Sequence, residues 1–137
     1  MAGWRDELVE VIKSSAEREA EEAEKRQKRL EAALTVADEA MVKARASLEF
    51  VNEQLASKAQ PVALSNVEGG QKLSLHGLSL EVALSREDAV VRVSFNEGRP
   101  REFDFVSERH LAPRDVEEYV GRRSVELARA AQKGHPW

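Results

Sequence analysis

Apolar and small residues recur along the first 60 positions in alternating steps of four and three. The stripe runs Val9, Lys13, Ala16, Ala20, Ala23, Gln27, Leu30, Leu34, Ala37, Met41, Ala44, Leu48, Val51 and Leu55. This is the a/d pattern of a coiled coil, and it predicts one helix from Arg5 to Lys58. No Gly or Pro falls between Gly3 and Pro61, and such a rod would be about 80 Å long. A stripe of that length predicts a partner helix. The oligomer interface is assigned to Gln27, Leu30, Leu34, Ala37, Met41, Ala44, Leu48, Val51 and Leu55.

The stripe is uneven. Upstream of Gln27 it holds Ala and Lys where Leu would pack better, so the first half should fray more readily. The e positions Glu10, Glu17, Glu24, Glu31 and Asp38 are all acidic. An antiparallel pair crossing in that stretch sets acid against acid, which favours a parallel dimer or higher oligomer. Gln27 in the seam is a candidate register device. The run of alanines from Ala32 to Ala44 suits close helix approach in a larger bundle, and equally suits a solvated helix. Val36, Val42 and Phe50 lie off the stripe and are expected under the C-terminal part or against a third helix.

After Pro61, which is read as closing the rod, the period changes from seven to two. Short strands are expected at Val62–Val67, at Leu73 and Leu75, and from Leu78 to Leu84. Two more follow, carrying Val91, Val93 and Phe95, then Phe103 and Phe105. The change of parity at His76-Gly77 predicts a bulge or tight bend. Asn96-Glu97-Gly98 predicts a turn with glycine in the left-handed position. Pro113, Asp115 and Glu117 open a last helix whose buried stripe is Val116, Val120, Leu127 and Ala131, with Gly134 at its end. The fold class is therefore α+β: a long N-terminal coiled-coil helix (residues 1–60), then an antiparallel meander covered by one C-terminal helix (residues 61–137). The sheet face carrying Ser79, Glu81, Arg92, Ser94 and Asp104 is expected to be wet or to meet a partner.

Composition narrows the function. With 34% charged residues and no cysteine, the chain suits an exposed rod and has no disulfide framework, thiol nucleophile or thiolate zinc site. No apolar run approaches a membrane span, and the N-terminus lacks the pattern of a signal peptide, so a soluble, cytoplasmic protein is expected. The histidines His76, His110 and His135 are scattered without metal-ligand spacing. No nucleotide-binding loop or nucleophile elbow occurs. No catalytic residue, metal site or cofactor is assigned.

The segment from residue 61 holds nine arginines against two lysines, balanced by twelve acidic residues. Arg99 and Arg101 on one hairpin, with Arg122 and Arg123 on the last helix, are the candidate partner-binding residues. Lys25-Arg26-Gln27-Lys28-Arg29 follows an acidic run and is explained by pairing along the helix. A net charge of −4 argues against general nucleic-acid affinity. The sequence reads as a non-enzymatic homo-oligomeric adaptor that presents a small head to another protein. A nucleic-acid-binding dimer using the head arginines, and an acidic dimeric chaperone of the secretion type, are the alternatives.

Overall fold

The computed structural model describes residues 3–12 and 15–137. Two helices, α1 (Trp4–Ile12) and α2 (Ser15–Ser57), precede the strands β1 (Val62–Val67), β2 (Gly70–Leu75), β3 (Leu78–Ser85), β4 (Val90–Phe95) and β5 (Arg101–Asp104). A final helix, α3 (Pro113–Gly134), closes the chain. The expected helix from Arg5 to Lys58 is thus present as two segments, and the seam position Lys13 lies outside the described residues. The five strands form one antiparallel sheet in sequence order, as an α+β reading requires.

Alternation decides which face of the sheet is apolar. Leu64, Leu73, Leu80 and Phe95 fall in register across β1 to β4, as do Val82 and Val93, and Val91 and Phe103. The parity change at His76-Gly77 is a two-residue hairpin, not a bulge: Leu75 pairs directly with Leu78, and both turn residues have positive φ. That turn class matches the twist of its strands, and it keeps odd-numbered leucines of β2 beside even-numbered ones of β3. In the β4–β5 turn the left-handed residues are Asn96 and Glu97, not Gly98; the Gly98 N–H donates to Phe95 O at 3.0 Å. Gly70 is required for another reason. A Cβ there would lie 1.7 Å from the Val82 carbonyl oxygen.

Two helices, rather than one, cover the apolar face. The α3 stripe Val116, Val120, Leu127 and Ala131 is buried, and Ser124, buried on the same face, donates to Val120 O at 2.8 Å. Beside it lies the second half of α2. Ala37, Ala40, Ala44 and Leu48 have no accessible surface and belong to one core with Leu73, Leu80, Val91 and Val120. The division at residue 60 therefore does not divide the core. α2 runs parallel to α3, with Lys43 Nζ 3.9 Å from Glu117 at one end and the Gln60 side chain meeting the His76–His135 stack at the other. Arg86 on the β3–β4 loop clasps Asp38 of α2 at 2.7 Å, which raises the guanidinium's pKa through that hydrogen bond.

α2 ends before Pro61. Gln60 N–H donates to Leu55 O and Ala59 N–H to Ala56 O, with Ala59 left-handed. This is the Schellman termination, carried here by alanine instead of glycine. Pro113 at the start of α3 works with Asp115, whose carboxylate accepts the Ala112 N–H at 2.7 Å. On the apolar side, the Gln71 amide oxygen is buried without a hydrogen-bond partner.

Since Leu48 sits at the junction of α2, α3 and the sheet, Leu48→Ala should destabilise the whole chain by about 2–5 kcal/mol. Urea unfolding followed by circular dichroism checks this. A loss of oligomer mass with unchanged unfolding would contradict the packing.

Candidate functional site

Of the residues assigned to an oligomer seam, most are covered within the chain. Ala37, Met41, Ala44, Leu48 and Leu55 are buried, while Leu30, Leu34 and Val51 are half-buried against the same core. Only Gln27 is exposed, where its amide donates to Glu31 Oε1 at 3.4 Å. A stripe that fits a coiled coil over a few heptads fits the 3.6-residue face of a helix on a sheet almost as well. The stripe is real, and from Leu30 onward this chain's own sheet and α3 fill it.

What remains open is the front of the molecule. α1 and the first third of α2, through Arg29, contain no buried residue among those described. Trp4, Leu8, Val9, Val11 and Ile12 are all large, apolar and exposed. Trp4, Leu8, Val11 and Ile12 follow the spacing of one helix face. Val42 and Phe50, expected to be covered, are 67% and 62% exposed.

Phe50 borders an apolar groove of about 520 Å³ between α2 and α3. Ala46, Ser47, Val51 and Leu55 of α2 line it opposite Gly121, Ser124, Val125 and Ala128 of α3. A Cβ at Gly121 would meet nothing within 4 Å.

The candidate arginines separate. Arg99 is exposed in the β4–β5 turn. Arg101 and Arg122 join Arg114, His110 and Tyr119 around a recess of about 380 Å³ between β5 and the start of α3. The Arg101 guanidinium lies over Phe103 at 5.1 Å and Tyr119 at 5.9 Å. Arg123 also lies over the Tyr119 ring, at 5.2 Å, donating to its hydroxyl at 3.0 Å and pairing with Glu126. The phenol oxygen and the Glu126 carboxylate both favour its charged form.

Within the recess, Glu118 is paired with Arg122 and Asp115 is held by its backbone bond at Ala112. Among the described residues, no carboxylate lies within ion-pair distance of Arg101 or Arg114. The recess is chemically suited to a carboxylate or phosphate oxygen beside an aromatic wall.

Compared with protein-family models, curated proteins and solved structures, the chain has no significant match.

Two further pairings were not visible along the chain. His76 and His135 stack at 4.1 Å beside Trp137, with the His76 Nε2 3.0 Å from the Gln60 amide oxygen. Among the described residues, no group of three metal-ligating side chains gathers. No described helix is long and apolar enough to cross a membrane.

The loop that leads from β5 to the recess is fixed by Asp104. Its carboxylate accepts backbone N–H groups from Val106 and Ser107, each at 3.0 Å. These bonds, Ser107's first, lower its pKa. A carboxyl whose folded pKa is depressed stabilises fully above the ordinary carboxylate range and loses that contribution as the pH falls through its folded value. Wild type should therefore exceed Asp104→Asn by about 1 kcal/mol at neutral pH. The gap should close below about pH 4, measured by urea unfolding at each pH; a gap that widens in acid would refute the assignment.

Proposed function

We propose that this protein is a non-catalytic, self-associating adaptor: its N-terminal helical arm joins copies together, and its head presents the arginine recess to a partner. One observation carries the reading. Through Arg29 the arm buries none of its described residues, yet it displays five large apolar side chains. Single exposed apolar residues need no explanation, but a clustered set on an exposed helix marks an interaction surface. Burying each side chain is worth about 1.5–3 kcal/mol. Association through the arm leaves the α2 residues of the head in place, so oligomer and fold are separable properties.

The recess supports the docking half of the proposal. Arg101 and Arg114 offer guanidinium groups beside Tyr119, which fits an acidic side chain or chain terminus of a partner protein. Several heads on joined arms would raise avidity without any new contact. A cytoplasmic setting fits the absence of cysteine. The same recess favours a second reading, contact with nucleic-acid phosphate, which the net charge of −4 opposes.

Sedimentation at micromolar concentration tests the reading. The wild-type chain should sediment as an elongated species heavier than its 15.3 kDa monomer. Leu8→Asp with Ile12→Asp, which alters only exposed positions, should return it to monomer with its thermal unfolding unchanged. A compact wild-type monomer would overturn the proposal.

A further inference from the structure

We infer that the groove between α2 and α3 receives the α1 helix of a second copy of this chain. The inference rests on the self-association proposed above and names its contact. The groove has the properties of a helix seat: two parallel helices form its walls, with Val51 and Leu55 supplying apolar surface and Ala46, Gly121 and Ala128 leaving room above it. Glycine in the middle of an exposed helix lowers helix stability, and the space above Gly121 is not used by its own chain. Small residues at such a position let another helix approach closely.

The occupant is present in the same sequence. α1 offers Trp4, Leu8, Val11 and Ile12 on one face, all between 48% and 73% exposed. Its nine residues span about 13 Å, and the groove runs from Lys43 to Leu55, about 18 Å at the same rise. The chain cannot fill its own groove. Ser15 and Lys43 lie in one continuous helix, about 42 Å apart along its axis. Folded straight back, α1 and the residues joining it to α2 reach only about 25 Å. An α1 seated there must therefore come from a second molecule.

The charged side chains that line the groove, Lys43 on α2 and Glu117 on α3, pair with each other at one end and leave the rest of it mainly apolar. The seat is head-to-tail, so each copy donates one α1 and receives another.

Cysteine pairs test the contact directly, because the chain has no cysteine of its own. A Leu8→Cys chain is mixed with a Val125→Cys chain and treated with a short bismaleimide, with Leu8→Cys plus Ser65→Cys as the control on the uncovered sheet face. The first mixture should give a covalent heterodimer and the control none. Adding Gly121→Leu to the Val125→Cys chain should abolish the product while its thermal unfolding stays intact. In a Trp137→Phe chain, Trp4 emission should shift to the blue as concentration rises. If sedimentation shows an oligomer but no heterodimer forms and Trp4 stays solvent-exposed, the groove assignment falls and self-association stands. If the chain is monomeric at every concentration, both fall.

Discussion

The apolar face of the sheet is too wide for one helix. Five strands at about 4.8 Å spacing make a layer roughly 20 Å across, while a helix with its side chains is about 10 Å wide. α3 lies over β3 and β4, and the face from β1 onward needs a second cover. Among the described residues the other long helix is α2, and its alanines at positions 33, 37, 40 and 44 let it lie close to both α3 and the sheet. From that requirement follow the parallel pairing of α2 with α3, the clasp between Arg86 and Asp38, and the extra length left over in front.

The proposed self-association rests on that extra length. The core ends near Leu30, but the helix continues for another four turns toward the N-terminus, followed by α1 with its apolar face in water. The same pairing of α2 and α3 creates the groove, because two parallel helices resting on a sheet leave a furrow on their outer side. An exposed helix with an apolar face and an exposed furrow of similar length therefore arise from one packing solution. The arginine recess is independent of both. It depends on the Asp104 turn that carries the chain from β5 to the start of α3.

Much of the architecture was legible in the sequence. The β1, β3 and α3 limits followed from alternation and from Pro113, and the α3 stripe was complete except for Ser124, whose hydroxyl hides by bonding to its own helix. Other features could not be read locally. The stripe on α2 specifies a buried face but not what buries it, since a partner helix and a sheet demand nearly the same spacing. Comparing the width of five strands with that of one helix would have decided the matter. Gly98 looked like the left-handed residue of its turn, yet Asn96 and Glu97 took those positions, with Gly98 closing the hydrogen bond. Arg101, Arg114 and Tyr119 come together only because β5 ends beside α3, and the His76–His135 stack only because a hairpin tip meets a helix end. Such juxtapositions are tertiary and leave no local trace.

Hydrogen exchange of backbone amides in dilute solution tests the central claim most directly, because it reports the opening energy of each segment. The account predicts that amides of α2 from Ala33 to Leu55 exchange as slowly as those of β3 and β4, in one cooperative unit with α3. Amides before Arg29 should exchange rapidly and gain protection only as concentration rises. Uniform protection along all of α2, lost by dilution while the strands stay protected, would show that the helix belongs to a separate rod and contradict the account.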